Sequence, residues 1–120
     1  MKVPDVDKYI GCILGGAVGD ALGAPLEFMT LNGILAKYGE TGVTKYIEFN
    51  NGKGEFTDDT QMTLFTAEGI LRSLFRAKTR GIWGAYLQIT YYSYLRWLLT
   101  QRDWYSDKVE GDFPQDQPDP

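Results

Sequence analysis

The segment GEFTDDTQM, residues 54–62, is the densest group of side chains that could do chemistry in this chain. Its two adjacent carboxylates, Asp58 and Asp59, lie between two threonine hydroxyls where a helix is expected to begin. Carboxylates, hydroxyls and waters are the ligands that Mg²⁺ prefers, and adjacent carboxylates repel each other unless a cation or N–H donors compensate them. The segment therefore fits a hard-cation site. On spacing alone, however, a helix cap with one spare acid is the favoured interpretation, because Thr and Asp are common at helix starts.

A second group of candidates lies upstream, where Gly19 and Asp20 are followed by Glu27 beyond Pro25. Asp20 interrupts an otherwise apolar, glycine-rich stretch. A carboxylate on a tightly packed helix needs a partner, and a metal or a substrate hydroxyl would serve. The alternative is an Asp that faces solvent at the end of its helix.

The composition excludes several catalytic classes. The chain has no His and one Cys among its 120 residues. A Ser-His-Asp triad, a Cys-His pair and a histidine-ligated zinc are therefore excluded, as is a disulfide within the chain. Chemistry here must depend on carboxylates, hydroxyls, backbone dipoles or a bound hard cation.

The negative charge is concentrated at the end of the chain. Residues 103–120 hold six acids and one Lys, while residues 1–102 are nearly neutral. Neither part has the clustered Lys and Arg of a nucleic-acid-binding protein. The start is a poor signal peptide and no apolar stretch approaches 18 uninterrupted residues, so we expect a cytoplasmic protein with no membrane partner.

Apolar residues at helical spacing predict a first helix over residues 5–23, with Pro4 and Asp5 at its start. Glycines recur along it every four residues, at a cost of about 1 kcal/mol each relative to Ala. Close approach of a neighbouring backbone explains most of them, and Pro25 ends the helix. These glycines are Gly11, Gly15, Gly19 and Gly23.

Three further segments follow before the last helix. A short helix is predicted over Leu31–Tyr38, ended by Gly39, and a short strand or extended loop over residues 43–49. A second long helix should start near Thr57, where Asp58 followed by Gln61 fits a capping box, and its apolar faces predict burial.

A last helix is predicted over residues 82–101, with an aromatic face that favours core packing over base stacking. The fold class is therefore all-α. Residues 103–120 form an acidic, proline-rich tail that we expect to be disordered.

Together, GCILGGAVGDALGAPLEF (residues 11–28) and GEFTDDTQM resemble the amino-terminal part of the ADP-ribosylglycohydrolase family. The resemblance covers roughly residues 8–102, including YLRWLLTQ (residues 94–101). It implies an all-α helical bundle, here truncated, that holds two divalent ions, Mg²⁺ or Mn²⁺, in a central cleft. The family removes ADP-ribose from modified side chains or hydrolyses related conjugates.

By position, Thr57, Asp58 and Asp59 match the family's first metal-binding motif, and Asp59 becomes a catalytic candidate as well. Glu27 matches an acid that faces the substrate ribose, which makes it a catalytic and substrate-binding candidate. Asp20 matches the acid of the family's GDA motif and is a second substrate-binding candidate. Carboxylates and a metal pair suit the cleavage of a C1′ glycosidic bond, and none of this chemistry requires His.

The chain departs from the family in lacking its carboxy-terminal D-x-D-[ST] motif. Asp58 and Asp59 alone would hold Mg²⁺ weakly, because this ion readily keeps its waters. One hypothesis is an amino-terminal piece that is inactive alone and is complemented by a separate carboxy-terminal half. A second is a non-catalytic module that binds ADP-ribose, an ADP-ribosylated protein or another protein. The third is an unrelated helical domain whose TDD sequence is only a cap.

Overall fold

The computed structural model describes residues 5–50 and 52–101. In chain order they form α1 (Val6–Gly23), a 3-10 helix (Ala24–Leu26), α2 (Leu31–Tyr38), β1 (Glu48–Phe49), β2 (Gly52–Lys53), α3 (Asp58–Arg80) and α4 (Tyr86–Thr100). The two strands form one antiparallel pair, with Glu48 opposite Lys53 and Phe49 opposite Gly52. The prediction of an all-α class is confirmed. The predicted tail, residues 103–120, lies outside the described residues.

The chain divides into two compact units, with the boundary between Thr63 and Leu64 inside α3. The first unit contains α1, α2, the strand pair and the first turns of α3. The second contains the rest of α3 and α4. Each is described by itself below.

Local signals start and end the first two helices. The Asp5 carboxylate accepts a hydrogen bond from the Asp7 N–H at 3.4 Å, which caps α1 as predicted. The Thr30 hydroxyl accepts from the Gly33 N–H at 3.2 Å and caps α2. Gly39 ends α2 with φ +75°, a left-handed conformation that glycine adopts without strain.

The glycines of α1 do not meet the close neighbours that we expected. A Cβ added at Gly11, Gly15, Gly16, Gly19 or Gly23 would have no atom of another element within 4 Å. The expectation of tight packing along this stripe is therefore wrong for the described residues. The apolar side chains of this helix are also largely exposed, among them Tyr9, Ile10, Leu14 and Val18.

The stretch Val6–Leu26 is, among the described residues, long and apolar enough to cross a membrane, with a mean hydropathy of 1.3. A core helix of a soluble protein or a signal sequence meets the same test of length and composition. The expectation of no membrane partner therefore stays a prediction.

In the second unit, a glycine brings two helices together. Gly69 of α3 is buried, and a Cβ there would lie 2.8 Å from both the Thr90 Cα and the Ser93 Oγ. Beside it the Glu68 carboxylate accepts from Arg96 at 2.6 Å and from Ser93 at 2.8 Å, both on α4. Glu68 also pairs with Arg72, one turn along α3, at 3.2 Å.

Two expectations about the second unit are wrong. Helix α4 begins at Tyr86, later than the predicted residue 82, because Gly81 and Gly84 take positive φ of +70° and +83°. The apolar residues of α3 are not well buried: Leu71 is 66% exposed and Phe75 71%. The aromatic face of α4 is only half covered, since Tyr91 is exposed while Tyr94 is partly buried.

Candidate functional site

The carboxylate of Asp20 holds the first turn of α3. Its Oδ2 accepts hydrogen bonds from the Thr57 N–H at 2.7 Å, the Thr60 N–H at 3.2 Å and the Thr60 hydroxyl at 2.6 Å. Its Oδ1 accepts one from the Thr57 hydroxyl at 2.8 Å. Four donors therefore converge on one side chain, which lies in the last turn of α1.

The electrostatics at Asp20 follow from these donors. Burial raises the pKa of a carboxyl, but the bonds from Thr60 and Thr57 outweigh it and hold the pKa of Asp20 below its ordinary value. Asp20 is therefore a carboxylate at neutral pH. Among the described residues, neutral donors alone lower this pKa, and no cationic side chain takes part.

The cap of α3 differs from the prediction. Asp58 is the first helical residue, and Thr57 precedes the helix with its hydroxyl accepting from the Asp59 N–H at 3.4 Å. The Asp58–Gln61 capping box is therefore wrong: the Thr57 hydroxyl accepts from the Asp59 N–H, and the distant Asp20 accepts from the N–H groups of Thr57 and Thr60. TDD does supply a cap, but the capping oxygen belongs to Thr57. Neither Asp supplies one, so both acids, and not one, are spare.

The two acids of the motif are exposed at the helix start. The side chains of Asp58 and Asp59 make no hydrogen bond or ion pair with any residue that the structure describes. The helix dipole stabilises their charge. Two free carboxylates beside the Thr57 hydroxyl form a set of hard oxygen donors, which fits Mg²⁺ or Mn²⁺ in chemical type.

The donor set is small. Within residues 5–50 and 52–101, no three His, Cys, Asp or Glu side chains come close enough to hold a metal ion together. Thr57, Asp58 and Asp59 can therefore supply part of a coordination sphere, and waters or further ligands must complete it.

A shallow cleft of about 90 Å³ adjoins the motif within the first unit. Ligand sites for molecules of drug size measure roughly 300–1,000 Å³, so this cleft can hold an ion with its waters but not an ADP-ribose group. Its walls come from α1 and from the start of α3: Ile13, Gly16, Ala17, Asp20, Asp59, Thr60 and Thr63. Gly16 lines this cleft, and its lack of a side chain leaves the space open.

Glu27 ends the 3-10 helix, and its N–H donates to the Ala24 carbonyl at 3.3 Å. Its side chain is exposed, and no hydrogen bond or ion pair joins it to Thr57, Asp58 or Asp59. The structure therefore brings Asp20 to the TDD motif and leaves Glu27 as a free carboxylate. Both oxygens of Asp20 accept hydrogen bonds from Thr57 or Thr60, and a substrate contact by Asp20 stays a prediction.

Thr60 is the residue that sequence reasoning missed. It is 7% exposed, and both its N–H and its hydroxyl donate to Asp20. The signal was present in the sequence: a second Thr follows the two acids, and a lone Asp lies in an apolar helix 40 residues before it. Nothing local connects those two observations.

Comparison with known proteins identifies the group to which these motifs belong. An uncharacterized protein of Archaeoglobus fulgidus is 42% identical over 72 residues, covering 58% of this chain and 23% of that protein. The ADP-ribosyl-[dinitrogen reductase] glycohydrolase of Rhodospirillum rubrum is 46% identical over 66 residues, covering 53% of this chain and 22% of that protein. The matches therefore span less than a quarter of each relative's length. No solved structure matches the chain significantly.

The family model described as ADP-ribosylglycohydrolase matches residues 1–117, nearly the whole chain. That match includes both the glycine-rich α1 with Asp20 and the TDD motif that Asp20 holds. The resemblance inferred from these two motifs is thus confirmed, and the chain belongs to the ADP-ribosylglycohydrolase family.

Proposed function

We propose that this chain supplies the first metal-binding motif of an ADP-ribosylglycohydrolase, with Thr57, Asp58 and Asp59 as ligands of Mg²⁺ or Mn²⁺. One observation carries the proposal: Asp20 and Thr57 cap α3, so the carboxylates of Asp58 and Asp59 are not bonded to any described residue. The complete family site takes two ions. The metal, when bound, would orient ribose hydroxyls or a water and lower the pKa of that water.

The reaction proposed for the complete site is hydrolysis at C1′ of the ribose in an ADP-ribose conjugate. Water adds to C1′, the bond to the modified group breaks, and that group leaves with a proton. Positive charge builds on the ribose ring as the bond breaks, and carboxylates stabilise such charge. We assign this task to Asp59, beside the cleft, and to Glu27, whose carboxylate is exposed and unpaired among the described residues.

We propose that the chain alone does not turn over substrate. Its described residues offer three ligands and a cleft of about 90 Å³, which is too small to enclose ADP-ribose. A complementing carboxy-terminal half is the partner that this proposal requires, and ADP-ribose or an ADP-ribosylated protein is its substrate. Metal-dependent release of ADP-ribose from modified arginine or serine peptides by these 120 residues would contradict the proposal.

Metal binding by the motif is tested by titrating Mn²⁺ into the chain and following the loss of the free-ion electron paramagnetic resonance signal. We expect weak binding, because a partial ligand set leaves the ion most of its waters. The double variant Asp58→Asn/Asp59→Asn should abolish it. Asp7→Asn is the matched control, since Asp7 is likewise an exposed acid in the first turn of a helix. Equal losses in both variants would indicate non-specific attraction and refute the site.

The alternative function is a non-catalytic module that binds ADP-ribose or a protein. The exposed apolar residues of α1, including Tyr9, Leu14 and Val18, favour a protein partner. Calorimetric titration with ADP-ribose distinguishes the two forms of this alternative. Binding that is unaffected by Asp58→Asn/Asp59→Asn would support a module independent of the metal motif.

A further inference from the structure

The two carboxylate oxygens of Asp20 accept hydrogen bonds from different donors. Oδ2 accepts from three donors, the Thr57 N–H and both donors of Thr60. Oδ1 accepts from the Thr57 hydroxyl alone. The first set of bonds holds the helix start in place, whereas the second acts on one candidate metal ligand.

The Thr57 hydroxyl has one hydrogen and two acceptor positions. An ionised carboxylate can only accept, so the 2.8 Å contact with Asp20 Oδ1 places the hydroxyl hydrogen on the side of Asp20. The Asp59 N–H takes one acceptor position of the oxygen at 3.4 Å. One acceptor position remains, and no described residue donates to it.

We propose that Asp20 is a positioning residue that fixes the polarity of the Thr57 hydroxyl, so that a lone pair rather than a hydrogen is offered to a divalent cation. This inference rests on the proposed metal site and deepens it. A cation is attracted to a hydroxyl lone pair and repelled by its hydrogen, and groups behind a metal ligand commonly set its orientation. Asp20 therefore acts through Thr57 and contacts neither metal nor substrate.

The variant Asp20→Asn isolates this effect. Asparagine has the same shape, and its carbonyl oxygen can occupy the Oδ2 position, where its two lone pairs accept from the donors that hold α3. Its NH₂ group then faces the Thr57 oxygen and donates to it. The hydroxyl hydrogen loses its acceptor and turns away, so the polarity reverses while the fold is retained. The opposite placement of the amide would set NH₂ against three donors.

The matched control is Thr60→Val. It removes the 2.6 Å bond to Asp20 Oδ2 but leaves the bond between Oδ1 and the Thr57 hydroxyl. A purely structural role for Asp20 predicts that both variants lower the melting temperature and lower Mn²⁺ affinity in proportion. The proposed role predicts a separation of the two effects.

The experiment measures Mn²⁺ affinity by paramagnetic resonance and melting temperature by circular dichroism on the 120-residue chain. We expect Asp20→Asn to weaken Mn²⁺ binding about 10- to 100-fold, as outer groups behind metal ligands typically do. We expect Thr60→Val to lower the melting temperature without changing Mn²⁺ affinity by more than about twofold. An Asp20→Asn variant that is folded and binds like the parent would overturn the proposal.

A metal-free readout keeps the result separate from the proposed function. In the parent, the Thr57 hydroxyl proton should give a nuclear magnetic resonance signal with slow exchange, because it is bonded to a carboxylate. In Asp20→Asn that signal should be lost to solvent exchange, while one side-chain amide proton of the introduced asparagine becomes protected. A fast-exchanging Thr57 hydroxyl in the parent would refute the inference. Correct proton behaviour without any Mn²⁺ binding would refute the metal site alone.

Discussion

Asp20 in the first unit and Glu68 in the second are both carboxylates that tie one helix to another segment, but they are satisfied in opposite ways. Asp20 accepts from hydroxyls and backbone N–H groups, which carry no net charge. Glu68 accepts from two guanidinium groups as well as from Ser93. Among the described residues, the negative charge of Asp20 is therefore stabilised by neutral donors alone, whereas that of Glu68 is paired with two arginines of the same unit.

This difference in charge compensation suits the two carboxylates to different functions. An uncompensated carboxylate beside Asp58 and Asp59 adds to a negative potential that attracts cations. At Glu68 two arginines remove that potential, so the ion network serves to hold α3 and α4 together. The number of hydrogen bonds around a carboxylate does not reveal its function, but the charge of the donors helps to do so.

The largest expected effect on stability comes from substituting a glycine, and one glycine from each unit is compared. Gly69→Val should destabilise the second unit by about 3 kcal/mol, because even its Cβ would meet the Thr90 backbone at 2.8 Å. Urea unfolding followed by tryptophan fluorescence measures it. Gly15→Ala is the control, since its Cβ meets nothing, and it should stabilise α1 by up to about 1 kcal/mol. Similar destabilisation in both variants would contradict the difference in packing between Gly69 and Gly15.

Removal of the Asp20 carboxylate comes next. Asp20→Ala should cost about 2 kcal/mol, because it leaves the helix-start N–H groups and the buried Thr60 hydroxyl without their acceptor. Urea unfolding followed by circular dichroism provides the free energy. Hydrogen exchange at the Thr60 N–H should accelerate at the same time. An unchanged exchange rate would mean that Asp20 does not hold α3 in solution.

Neutralising Glu68 should have a smaller effect. Glu68→Gln should cost about 1 kcal/mol, since the paired side chains remain partly exposed and solvent screens them. The penalty should shrink in about 1 M NaCl, where charge pairs are screened, whereas that of Asp20→Ala should persist. Equal salt sensitivity of both variants would remove the distinction between charged and neutral donors.

The smallest expected effect is on the pH dependence of stability. Burial raises the pKa of Glu68, but the bonds from Arg96 and Ser93 and the charge of Arg96 outweigh it, so the pKa is lowered like that of Asp20. Both carboxylates then bind protons more weakly in the folded state, and stability falls as pH drops from about 5 toward 2. Acid titration followed by circular dichroism should show a shallower fall in Asp20→Asn and in Glu68→Gln. A steeper fall in either variant would contradict these shifts.

Much of the fold follows from local sequence. Asp5 starts α1, Pro25 lies just beyond its end, and the predicted Leu31–Tyr38 helix with Gly39 at its end is confirmed residue by residue. Capping side chains and a glycine with positive φ act within four residues of the helix end, so a sequence pattern can identify them.

The candidate site was only half predictable. The TDD motif was found from residue types, but Thr57, Asp58 and Asp59 are all suited to capping, and the local pattern favoured Asp58. The choice of Thr57 is coupled to Asp20, which lies 37 positions earlier. The burial of α3 was also mispredicted, because periodicity identifies an apolar face but does not say which segment covers it.

The link between Asp20 and Thr57 has a consequence for how the intervening chain can vary. It spans 37 positions that include the 3-10 helix, α2 and the strand pair, yet it depends only on the two ends. Closing a flexible loop costs an entropy that grows with the logarithm of its length, about 0.6 kcal/mol for each doubling. Insertions between the two motifs should therefore be tolerated thermodynamically, so this connecting segment is free to change in length while the joined ends keep their chemistry.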